Sequence, residues 1–164
     1  MAVAAVQFYD VVLFVHIAAV VFAFGPSLAY PILATVAERY DPRSIPVLMR
    51  GFETVDRYLV TGAGIVVIVA GIYVTADRWE FSDVFVSLGI VVVVVLLGLT
   101  HGFFIPRERK IAELAERDIA AAGHGEVKLS AELREVVQST AAVGNLTALA
   151  ILVTLFFMTV KPFV

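Results

Sequence analysis

The stretch "VFVSLGIVVVVVLLGLTHGFFI", Val84 to Ile105, carries no Asp, Glu, Lys or Arg along its whole length. Its centre, "IVVVVVLLGL" (Ile90–Leu99), has the β-branched composition of a strand in water. A lone strand in lipid, however, leaves its backbone N–H and C=O groups without partners, so an isolated apolar run of this kind must close its hydrogen bonds within itself as a helix. Its length also fits, since about 20 apolar residues cross roughly 30 Å of hydrocarbon. The segment therefore reads as a membrane-spanning helix, and context overrides propensity.

Three further runs share this character, at about 8–35, 58–75 and 139–160. A composition of 60% hydrophobic and only 16% charged residues supports the same class, as does a mean hydropathy of +0.94. The expected fold is all-α, a four-helix transmembrane bundle forming one domain over residues 1–164. A net charge of −3 is modest and says nothing about nucleic acid; no nucleic-acid partner is expected, and membrane lipid is the expected surrounding medium. The absence of cysteine excludes disulfides, thiolate catalysis, zinc–thiolate sites and cysteine-held clusters. "MAVAAVQFYD" has no basic region before its apolar run, so the first stretch is expected to remain as a helix rather than leave as a signal peptide.

Orientation follows from the basic residues. Arg39, Arg43, Arg50 and Arg57 lie between the first two spans, and Arg107, Arg109, Lys110, Arg117, Lys128 and Arg134 between the last two. Only Arg78 and Lys161 fall on the other side. The positive-inside rule then predicts a multi-pass protein of the inner (plasma) membrane with both termini outside. "ADRWEFSD" makes a tight outer turn with Trp79 as an interfacial anchor. Residues at about 107–138 form a cytoplasmic helical hairpin, with Ile111, Leu114, Ala115 and Ile119 at helical spacing. "GHG" breaks the helix, and Ser130 caps its return, whose apolar face holds Leu133, Val136 and Val137. In the first inner connection Leu48, Phe52 and Val55 are expected on the membrane surface or on the bundle. Small residues at Ala19, Ala23 and Ser27, at Gly98 and Gly102, and at Gly144 and Ala148 are expected to let helices approach closely.

Polar residues within lipid are the candidates for function. Pro26 and Pro31 each remove a backbone hydrogen bond and are expected to bend the first helix. His16 and His101 sit on different spans, on the order of 12 Å and roughly 25 Å below the outer edge at 1.5 Å per residue. Two metal–nitrogen bonds span only about 4 Å, so one shared metal does not suit this pair. An inner group of His101, Thr100, Thr61, Asn145, Tyr30, Asp56 and Arg57 draws on all four helices, either as a ligand or proton site or as a register-fixing network. An outer group of His16, Thr154 and Tyr73 suggests one interhelical bond, Met158 being the remaining partner at similar depth. His124 reads as a loop residue. No hydrolase triad, phosphate loop or HExxH appears, which leans away from an enzyme.

"FVHIAAVVFAFGPSLAYP", "DPRSIPVLMRGFETVDRYLVTGAGIVVIVAGIYV", "GLTHGFFIPRERKIAELAERDIAAAG" and "FFMTVKP" together cover nearly the whole chain. Over these pieces it resembles a bacterial, notably actinobacterial, family of predicted integral membrane proteins with no assigned activity. More loosely, His16 and the Gly–Pro region after it are similar to the first helix of haem-carrying protoporphyrinogen oxidase and of copper-resistance membrane proteins. That likeness implies haem b or copper at His16; the residues themselves call for no cofactor. Three functions follow as expectations. The first is a non-enzymatic module that binds a small ligand, a proton or a membrane partner, with a homo-oligomer included. The second is a redox protein centred on His16. The third is a structural subunit that docks a partner through the hairpin face around Leu114 and Val136.

Overall fold

Every apolar run closes its hydrogen bonds as a helix, and residues 7–162, which the computed structural model describes, contain no strand. The helices are α1 (Phe8–Tyr40), α2 (Ile45–Val55), α3 (Thr61–Arg78), α4 (Val84–Leu99), α5 (Ile105–Ala122) and α6 (Ala131–Val160). One π-turn, Asp56–Val60, carries α2 into α3, and a second, Thr100–Phe104, carries α4 into α5. Four rods result, each long and apolar enough to cross a membrane: Phe8–Tyr40, Pro42–Arg78, Val84–Ala122 and Ala131–Val160. The chain is an all-helical integral membrane protein.

Two details bear on the expectations. Helix α1 continues through Pro26 and Pro31 as one helix. Of the two placements expected for the segment before the second span, the bundle is the one found. The segment is α2, the base of the second rod, and its Phe52 is buried against α5.

On the arginine-rich side the rods close a core of the kind found in soluble proteins. Ala37, Ile45, Met49, Phe52, Ile111, Ala112, Leu114, Ala115 and Leu133 form it, drawn together by removal from water. The hairpin between α5 and α6 turns at Gly123, whose φ of 55° suits a residue without a Cβ. Arg43 clamps that turn, donating from Nη2 to the carbonyls of Gly123 (2.7 Å) and Gly125 (2.9 Å). Ser130 caps α6 by accepting from Leu133 N at 3.3 Å, and its own N–H donates to Asp118 Oδ2 at 2.8 Å. Leu114 is buried in this core and Val136 packs on it, so the hairpin's apolar face serves the chain's own interior.

The other side is tied by cations over rings: Arg78 lies 3.7 Å over Tyr9, and Lys161 Nζ lies 3.7 Å over Trp79. Trp79 is thus covered by the last residues of the bundle.

Between these ends the rods associate as two pairs. Helix α1 packs most extensively on α3, and α4 on α6, while α1 meets α6 and α3 meets α4 more lightly. Ala19 and Ala23 are buried with Val67 and Val93. The glycines that admit neighbours are Gly64, where an added Cβ would lie 2.8 Å from Leu97, Gly71 against His16, and Gly89 against Met158. Gly98, Gly102 and Gly144, expected at helix contacts, face open space instead. Lipid contact does not require small side chains, and apolar periodicity cannot tell lipid from neighbour.

Leu133, 1% exposed, is the keystone of the hairpin core. Leu133→Ala should cost about 2–5 kcal/mol in thermal or chemical denaturation in detergent. Gly98→Ala, on the outer face, should stay near wild type.

Candidate functional site

The two helix pairs meet where Val93 packs on Ala19, Ala23 and Val67 and where Leu97 lies against Gly64, and beside these contacts a cavity of about 180 Å³ runs between them. Its membrane end is apolar, walled by Ala23, Gly64, Val93, Leu97 and Ile151. Its other end reaches Ile45, Ile111, Leu129 and Leu133 under the hairpin. On α6 the lining extends from Leu133 to Ile151, about 27 Å at 1.5 Å per residue, so the space is long and narrow. Small residues on one face of α6, Thr140, Ala141, Gly144 and Thr147, keep it open.

The wall becomes polar where the rods leave the lipid. Tyr30 of α1 stacks on Phe52, with centroids 3.9 Å apart and planes at 16°, and its hydroxyl donates to Asp56 Oδ1 at 2.9 Å. Asp56 is 6% exposed and opens the first π-turn. Thr100, equally buried, opens the second and donates its hydroxyl to Leu96 O. Glu108, 5% exposed, lines the same cavity, and its Oε2 is buried with no hydrogen-bond partner among the described residues.

The two π-turns meet beside this site. Thr61 Oγ1 donates to Asp56 O at 2.8 Å and lies 3.0 Å from His101 Nε2. A hydroxyl has one proton, and here it faces the carbonyl, so His101 donates from Nε2 to Thr61. π-Turns inside α-helices recur at functional sites, and this pair sets Asp56 and Thr100 on the cavity wall.

The inner group expected from sequence is therefore partly assembled. Tyr30, Asp56 and Thr100 line the cavity, and Thr61 and His101 buttress it from an exposed position. Arg57 is turned away, pairing with Glu53 at 2.9 Å, where Arg109 also binds at 2.6 Å. Asn145 is exposed and does not line the cavity, being one position past Gly144 on the helix. Glu108 was missed, although it lies three residues before Ile111 and seven before Ala115, on the apolar face of α5.

The outer group does not form. His16 Nδ1 bonds Val67 O at 3.0 Å, Thr154 donates to Ala150 O, and Tyr73 meets Phe8 edge-on. His16 and His101 contact α3 at Val67 and Thr61, six residues and about 9 Å apart along its axis. The pair thus offers no joint axial ligation. Among the described residues no three His, Asp or Glu side chains group to hold a metal ion.

Asp56 and Glu108 fall outside the spans expected from sequence at about 58–75 and 84–105, and both carboxyl groups are perturbed upward. Burial pushes Glu108 to about 8, with the nearby charges of Asp56 and Glu53 acting the same way. Burial raises Asp56 to about 6, opposed by the Tyr30 hydrogen bond and by His101. A carboxyl whose folded value is raised lends stability that is complete below its unfolded value, 4.5 for Glu108, and is lost as pH climbs through about 8. Melting temperature in detergent should accordingly fall from about pH 5 to about pH 9, and Glu108→Gln should flatten the alkaline part of that decline. An unchanged slope in Glu108→Gln would place the titration elsewhere.

Residues 10–162 match the family model described as predicted integral membrane protein (DUF2269), and the chain belongs to that family. No curated protein and no solved structure matches the chain.

Proposed function

We propose that this member of the DUF2269 family is a non-enzymatic binding module of the inner membrane, holding a small amphiphile between its helix pairs. The observation that carries the reading is a single narrow cavity wall that changes along its length. It is mostly apolar beside the spans, where Thr140 and Thr147 are its small polar exceptions on α6, and carries Tyr30 and the buried Asp56, Thr100 and Glu108 toward the hairpin, with Glu38 and Arg134 also on that part of the lining. Such a gradient suits a molecule with an apolar chain and a polar head, because convergent polar groups in an apolar pocket fix orientation. The cavity slightly exceeds the roughly 150 Å³ that accommodates benzene in an engineered core. A slender occupant fits its length better than a compact one.

The ten basic residues on the hairpin side support a cytoplasmic hairpin with both termini outside. The polar end of the cavity then lies at the cytoplasmic leaflet. His16 supports packing, since its Nδ1 ties α1 to Val67 O of α3 and its ring fills the space left by Gly71.

Gly144 faces the cavity with nothing within 4 Å of an added Cβ, so Gly144→Phe places a ring inside the channel. Titration of octyl-chain compounds into protein in phosphatidylcholine nanodiscs should raise the melting temperature of wild type saturably, and Gly144→Phe should abolish the effect. Failure of every octyl compound to stabilise wild type would contradict the module.

A further inference from the structure

The head group of the occupant is legible in the polar end of the cavity. Glu108 and Asp56 line it together, both more than nine-tenths buried. Asp56 uses Oδ1 on Tyr30, while Glu108 Oε2 has no partner. Neither carboxyl forms an ion pair among the described residues. Cations are close in sequence, yet each is placed elsewhere. Arg57 and Arg109 converge on Glu53, and Arg107 donates to Ser139 while lying over the Phe103 ring. Arg134 reaches the cavity wall from α6 but is exposed and bonds to neither carboxyl. Two acceptor-rich groups, facing a shared space without a fixed cation, are the arrangement that a cationic donor would complete.

On the reading of this cavity as an amphiphile site, we propose that its ligand carries a primary ammonium head, bound by Glu108 and Asp56, on an unbranched apolar chain lying between the helix pairs. The ammonium has three donors. Glu108 Oε2 and the second oxygen of Asp56 are acceptors on the same wall, and the Tyr30 hydroxyl holds the first Asp56 oxygen in place. An anionic head would meet two carboxyl groups, whereas a neutral alcohol brings no positive charge to offset a carboxylate and so gains nothing from the pair. The same chemistry reaches the site from two sources, a free alkylamine or an ethanolamine headgroup whose chain already lies in the bilayer.

The groups that act on Glu108 electrostatically are Tyr30 from α1, Glu53 from α2 and Asp56 from the first π-turn, while Glu38 of α1 and Arg134 of α6 line the same cavity. Because burial favours a protonated Glu108 without ligand, an ammonium must displace that proton to the solvent. Amine binding should therefore strengthen from neutral to alkaline pH, whereas binding of an alcohol should not.

The test compares n-octylamine, n-octanol and octanoate, three heads on one chain, by thermal shift and calorimetry in phosphatidylcholine nanodiscs. Octylamine should bind wild type at least about tenfold more tightly than octanol, with octanoate weakest. The nearly isosteric Glu108→Gln should reduce the amine preference to about twofold or less while leaving octanol binding intact. Asp56→Asn provides a second, independent loss, and Glu53→Gln, outside the cavity, should keep the full preference. Adding phosphatidylethanolamine to the discs should weaken octylamine if the headgroup is the source and leave it unchanged if a free amine is. Equal binding of amine and alcohol, or a preference that survives Glu108→Gln or falls equally with Glu53→Gln, would overturn the ammonium assignment and leave the binding module standing. Absence of binding by all three compounds would instead remove the module itself.

Discussion

A carboxyl group withdrawn from water must find a donor, a proton or a cation, and among the described residues Glu108 Oε2 has no hydrogen-bond partner and its carboxyl no ion pair. Much of the architecture on the arginine-rich side creates that situation. Arg43 holds the hairpin turn against the first connection, which seats Leu133 among Ile111, Leu114 and Ala115. That core keeps α5 close to α2, and Glu108 is carried inward on the same helical face as Ile111 and Ala115. The two π-turns shift the phase of the second and third rods where they leave the spans. Asp56 and Thr100 consequently look into the cavity while Arg57 looks out.

The space itself arises from unequal pairing. Alanines and Val67 draw α1 onto α3, Gly89 admits Met158 of α6 onto α4, and the small face of α6 is left without a partner across the gap. In lipid no hydrophobic effect squeezes such a gap shut between spans, so cavity volume is decided by side-chain size alone. Under the hairpin, where water surrounds the rods, burial drives closure and the packing is tight.

The number of the spans was legible because lipid imposes length and apolarity on each run. The hairpin was legible because Gly123 and Ser130 are the residues that backbone geometry requires there. Tyr30, Asp56 and Thr100 could be grouped because polar side chains near one membrane level must seek each other. Facing was not legible. Apolar residues surround a span on every side, so Asn145 could not be told from Gly144, nor Gly98 from Gly64. A π-turn leaves no residue signature, so the phase step that separates Asp56 from Arg57 was invisible. Glu108 was concealed by its neighbours in "PRERK", a run that suggests a solvated face until its spacing to Ile111 is counted.

The account stands on a protonated, water-excluded carboxyl group at Glu108, and infrared spectroscopy reads that state directly. In nanodiscs near neutral pH, wild type should show the carbonyl stretch of a buried carboxylic acid. The band should be absent from Glu108→Gln and should be exchanged for carboxylate absorption when octylamine is bound. A wild-type spectrum without that band, or one identical in Glu108→Gln, would contradict the site as described.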